Sequence, residues 1–131
     1  MFTGIKTSKA NKDLVTQLTS RLQLGAENVI ARIAFTYSMA SERQLDLLQI
    51  EDSQGKEYSS KVLFGDHADI YIAMVCVHYQ LYKTDKDIAR YVKMHIDDGL
   101  QLIANEIKRN DNINGSDFLI SKIERGLRGL N

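Results

Sequence analysis

Between residues 88 and 107 one apolar face persists: Ile88, Val92, Ile96, Leu100, Ile103 and Ile107 recur every three or four residues. That register belongs to an α-helix and holds for five turns. A helix with so long an apolar face needs other helices to cover it. No proline occurs anywhere in the 131 residues. Its absence suits long uninterrupted helices and argues against a loop-rich β domain. Gly99 interrupts the face at a cost of roughly 1 kcal/mol against alanine, which is tolerable where a glycine admits close helix–helix approach.

The remaining helices follow from similar signals. Ser8-Lys9-Ala10-Asn11 reads as a helix start with a capping hydroxyl. Leu14, Leu18 and Leu22 then form a narrow stripe, and the helix is expected to end near Arg21. Gly25 predicts a left-handed terminus. Val29, Ile30, Ile33, Ala34 and Tyr37 predict a central amphipathic helix over 26–39. Ile70 to Val77 is a run of eight apolar residues, and its continuation to Tyr82 favours a buried helix from Asp66. Thr84 reads as an N-cap with Asp87 completing a capping box. Ser116-Asp117 opens a last helix bearing Phe118, Leu119, Ile123 and Leu127, whose tail at 125–130 frays. The whole predicts one mainly α domain, residues 1–131, of four to five helices. A short irregular or small-hairpin insertion is expected at about 49–64.

Composition bounds the function classes. With 44% hydrophobic and 26% charged residues the chain is globular. Cys76, the lone cysteine, forms no internal disulfide and sits in an apolar run, which favours a reduced cytoplasmic setting. Residues 1–6 lack the apolar stretch of a signal peptide, and no segment is long enough to span a bilayer. Catalytic patterns are weak throughout. Cys76 and His78 point apart on a helix and cannot share a proton. His67, His78 and His95 are too dispersed for a metal site, and His95 with Asp98 suits a surface ion pair better than a ligand pair. Asp97 and Asp98 diverge as neighbours, whereas Lys93 and Asp97 have salt-bridge spacing. No phosphate loop, dinucleotide fingerprint or nucleophile elbow occurs. No catalytic residue, cofactor or metal is therefore expected.

Charge is zero overall but unevenly spread. Residues 1–43 carry a net +3 and residues 44–70 a net −4. Lys6, Lys9 and Lys12 repeat every three residues, and Arg21 lies further along the same helix. Such a row can hold DNA phosphates without reading bases, or it is ordinary solvated surface. Leu22-Gln23-Leu24 before a helix also suggests a ribbon-helix-helix strand, a signal of only three residues.

Ser20-Arg21-Leu22, Glu27 to Ala34, Leu63-Phe64-Gly65 and His95-Ile96-Asp97-Asp98-Gly99-Leu100 together resemble the DndE family, the small E-type proteins of bacterial DNA phosphorothioation. The resemblance covers most of residues 18–107. It implies a small helical cytoplasmic protein acting with a cysteine desulfurase, an iron–sulfur protein and an ATPase to replace a non-bridging phosphate oxygen of DNA with sulfur. It also implies a homo-oligomer, a tetramer, and binding of duplex DNA, including nicked duplex. No catalytic motif is carried over. The expected function is a non-catalytic DNA-binding accessory subunit with Lys6, Lys9, Lys12 and Arg21 as phosphate contacts. Those four residues come from charge placement and not from the family. A scaffold docking the partner proteins is the alternative, and a nickase is a weaker third.

Overall fold

The structure is a computed structural model and describes residues 2–129. It is mainly helical. In chain order it has β1 (Gly4–Lys6), α1 (Ala10–Leu22), α2 (Glu27–Ala40), β2 (Glu57–Ser59), α3 (Ser60–Phe64), α4 (Ala68–Tyr79), α5 (Ile88–Arg109) and α6 (Gly115–Arg128). Single 3-10 turns lie at Leu47–Gln49 and Gly65–His67. The tail expected to fray from Arg125 is helical through Arg128, and Leu130 lies outside the described residues.

α5 is the axis of the molecule. Val92, Ile96, Leu100 and Ile103 are fully buried along it, as the periodic face requires. α2 lies across it with Ile30, Ala31, Ala34 and Phe35 fully buried. The two backbones touch at Gly99, where an added Cβ would stand 1.8 Å from the Ala34 carbonyl oxygen. The expected close approach is thus backbone against backbone. α1 buries Asn11, Val15, Leu18 and Leu22, so the stripe runs through Val15 and leaves Leu14 at its edge.

Several local expectations need correction. The 49–64 insertion is irregular only over 50–56: it ends in a strand that makes no hairpin of its own and in the short helix α3. β2 pairs antiparallel with β1, Ile5 opposite Tyr58, 53 residues away in sequence. The terminal left-handed residue of α1 is Gln23 (φ 52°) in place of Gly25. Leu22 is still helical, so Leu22-Gln23-Leu24 forms no ribbon-helix-helix strand. The segment 66–82 is a turn followed by a shorter helix, ended by Gln80 at φ 57°. It is only half buried: Ile72 and Val75 face the core, while Ile70 is 60% and Val77 80% exposed. Its apolar residues surround the helix, and only one side meets α3 and α5. α5 starts three residues later than Thr84 suggested, because Asp85 spends its carboxylate on the Asp87 N–H in a turn. At α6 the cap is Asn114, which accepts the Asp117 N–H at 2.8 Å, rather than Ser116.

Candidate nucleic-acid interface

The N-terminal end of α1 is built by residues far away in sequence. Ser8 does not cap the helix with its hydroxyl. Its N–H donates instead to Asp97 Oδ1 on α5 at 3.0 Å. The Lys9 N–H donates to Asp52 Oδ1 at 2.8 Å. Two carboxylates thus sit where the helix leaves N–H groups unpaired and its dipole is positive. Those N–H donors, from Lys9 and Gln54, hold the Asp52 carboxyl below its usual pKa.

Asp97 has more partners than any other carboxylate in the described residues. Its Oδ1 also accepts from Asn11 Nδ2 at 2.8 Å, and its Oδ2 accepts from Lys93 Nζ at 2.6 Å. The Lys93 and Asp97 side chains are each only 6% exposed. The spacing in sequence was right about this pair, but the pair is buried and ties β1, α1 and α5 together.

Next along α5, His95 is fully buried. Its Nδ1 lies 2.8 Å from Ser38 Oγ, and its Nε2 is hydrogen-bonded to the Tyr79 hydroxyl. Ser38 donates to Asp98 Oδ2 at 2.6 Å, and Asp98 is ion-paired with Arg43. The pattern is satisfied when His95 is neutral, with its proton on Nδ1 donated to Ser38 and Tyr79 donating to Nε2. The chain joins α2, α4 and α5. His95 and Asp98 therefore meet through Ser38, not as the direct surface pair that their spacing suggested. Ser38 and Tyr79 are 57 and 16 residues from His95, and no periodicity linked them to it.

Burial, with His78 close by, pushes His95 down to about 4. The unfolded chain takes up that proton near pH 6.5 and the folded chain does not. Stability is therefore fully present above pH 6.5 and falls as pH drops toward 4, by roughly 3 kcal/mol in all. Melting temperature measured from pH 7.5 to 4 should show this slope. In His95→Gln the slope over that window should flatten. Equal slopes in both proteins would show that His95 is not held neutral.

The four expected DNA contacts are spread over different elements. Lys6 ends β1, so Lys6, Lys9 and Lys12 are not one helical row; buried Thr7 and Ser8 intervene. Lys9 precedes α1 and Lys12 lies in its first turn, both exposed. None of the three is in an ion pair among the described residues. Arg21 lies nine residues beyond Lys12, about half a turn further round α1, and its Nη2 donates to the Asp111 carbonyl at 2.6 Å. Lys6 has basic neighbours that the sequence did not suggest. It shares an open cleft of about 660 Å³ with Arg90 and Lys93 of α5 and with Glu51 and Glu57. The one available signal was that Arg90 and Lys93 are a turn apart. Among the described residues no group of three His, Cys, Asp or Glu side chains could hold a metal ion.

The model of the DndE family, described as DNA sulphur modification protein DndE, matches residues 4–111. The chain belongs to the DndE family. Its fold is also that of solved DndE structures. DndE from Escherichia coli B7A, involved in DNA phosphorothioation modification, is 17% identical with a TM-score of 0.64, and the alignment covers 79% of this chain and 98% of that one. A glycine-to-lysine mutant of DndE involved in DNA phosphorothioation is 19% identical with a TM-score of 0.65 and the same coverages. At these identities the likeness speaks for the fold alone. No curated protein matches the chain. The family match ends at residue 111, just before α6. His95 to Gly99, which carried much of the DndE resemblance, form the segment that bonds α5 to α1, α2 and α4. No helix is long and apolar enough to cross a membrane among the described residues.

Proposed function

We propose that this DndE protein is a non-catalytic, DNA-binding accessory subunit of the phosphorothioation machinery, working in the cytoplasm as a homo-oligomer. The observation that carries the reading is the set of three exposed lysines, Lys6, Lys9 and Lys12, at one end of the chain with no carboxylate partner among the described residues. Exposed lysines without a carboxylate partner attract phosphate and release counterions when they meet it. Three per chain bind weakly, and repetition around an oligomer raises their effective concentration near one duplex. A nicked duplex bends more easily onto such a surface. Arg21 joins this set only if its hold on Asp111 yields to phosphate. A non-catalytic role is supported by the burial of Ser38 and His95, which closes the Ser38–His95–Asp98 chain to substrate.

Exposed apolar side chains on α4 support the oligomer and also favour a second reading, a scaffold that docks the desulfurase, the iron–sulfur protein or the ATPase. One experiment separates the two. The triple variant Lys6→Glu, Lys9→Glu, Lys12→Glu should bind intact and nicked duplex at least tenfold more weakly in an electrophoretic shift. Its salt dependence should flatten by about 0.9 per lost phosphate contact. Wild-type affinity in that variant would reject the lysine surface and put the scaffold first. Arg21→Glu, tested alone, reports whether that residue contributes.

A further inference from the structure

α6 lies beyond the DndE family match, and it builds a cleft that the rest of the chain leaves unfilled. The helix is anchored at both ends of its first half. Gly115 sits so close to α1 that a Cβ there would stand 1.9 Å from the Leu22 carbonyl oxygen. Phe118 is fully buried and stacks on Tyr37 at 6.1 Å. Lys122 lies over both rings and pairs with Glu106. Beyond that point α6 diverges from the core. Ile123 is 61% and Leu127 58% exposed. Between α6 and α2 opens a cleft of about 890 Å³, with Ile33, Tyr37, Leu102, Leu119 and Ile123 in its lining.

The rim of this cleft is basic. Arg125 has no ion-pair partner among the described residues. Arg32 donates to the Leu63 and Val62 carbonyls and meets no carboxylate. Lys122 is neutralised by Glu106 from outside the cleft, and Glu42 is the one carboxylate in the lining.

The same chain carries a surface of complementary character elsewhere. Ile70, Ala73 and Val77 form an exposed apolar ridge on α4. They span eight residues, or about 10 Å of helix. Asp66 and Asp69, both exposed and neither ion-paired among the described residues, stand at its N-terminal end. The ridge cannot enter the cleft of its own subunit, because Tyr71 on α4 already forms part of that cleft's wall.

We propose that the α2–α6 cleft receives the α4 ridge of a second copy, with Asp66 and Asp69 of one subunit meeting Arg125 and Arg32 of the next. Apolar surface then covers apolar surface, and the unpaired acids meet guanidinium groups that have no carboxylate partner. Ridge and cleft are different surfaces, so the contact is head-to-tail and each subunit offers both halves. The proposal rests on the oligomeric part of the reading above and not on DNA binding.

Two exposed substitutions test it. Ile123→Asp spoils the cleft and Val77→Asp spoils the ridge, and neither position supports the core. Circular dichroism should show both variants folded. By light scattering at micromolar concentration the wild type should exceed the 14.9 kDa of one chain. Each variant alone should fall to that mass. An equimolar mixture should recover one intact contact and give twice the chain mass. In a second arm, Arg125→Glu and Asp69→Lys should each weaken assembly, and mixing the two proteins should restore it, because each cleft then meets a ridge of opposite charge. A ridge-to-ridge contact would let Ile123→Asp keep the wild-type mass, and that result overturns the proposal. So does a mixture that stays monomeric. A wild-type monomer would remove the oligomer reading as well, whereas loss of the lysine-dependent DNA shift leaves this contact untouched.

Discussion

Asp97→Ala is expected to cost about 3–5 kcal/mol, a large share of the stability of a chain this size. Removing the carboxylate leaves Lys93 buried and charged without a counterion. It also strips the acceptor from the Ser8 N–H and from one Asn11 amide hydrogen bond. Lys93→Met should cost less, because Asp97 keeps both of those donors. Asp97→Asn should resemble Asp97→Ala in leaving the lysine unpaired. Urea unfolding at pH 7, followed by circular dichroism, gives the three values. If Asp97→Ala lay within 1 kcal/mol of wild type on that scale, the pair would be a solvated contact and not the tie between α1 and α5.

Gly99→Ala should lower the melting temperature by roughly 12 °C or more, from about 3 kcal/mol of overpacking at roughly 4 °C per kcal/mol. Ordinary overpacking is relieved by side-chain movement. Here the obstacle is the Ala34 backbone, 1.8 Å from the added methyl, so α2 has to move away from α5. Gly126→Ala is the internal control. Nothing lies within 4 Å of a Cβ at Gly126, so the helix gains alanine's propensity and should be unchanged or slightly more stable. A thermal melt of the two variants beside wild type decides the matter. Equal melting temperatures for Gly99→Ala and wild type would mean that the helix crossing is looser than the structure has it.

The α5 face shows how far local pattern reaches. Ile88 to Ile107 could be read because the burying partner repeats at the helical period, whatever that partner is. Lys93 with Asp97 could be read because four residues of helix bring two side chains together. The other partners of Asp97 could not. Ser8 and Asn11 are 89 and 86 residues away, and nothing in their own neighbourhoods marks them. The β1–β2 pair failed for the same reason: strand periodicity says that an edge is available but not which segment fills it. The lysine row was legible as charge and not as shape. Its even spacing presumed a helix that begins only at Ala10, because Thr7 bonds to Lys56 and Ser8 to Asp97 before α1 starts.

Sequence by itself determined the helical class, most helix positions and the DndE kinship. Each of these depends on contacts within a few turns or on motif identity. Tertiary structure alone decided that His95 hangs between Ser38 and Tyr79, that Asp97 caps a helix from the far end of the chain, and that α4 is half bare. It also decided that α6 leaves an apolar cleft with a basic rim. These depend on which faces meet, and the one-dimensional pattern holds no record of it: burial needs only an apolar neighbour, and any of several helices can provide one.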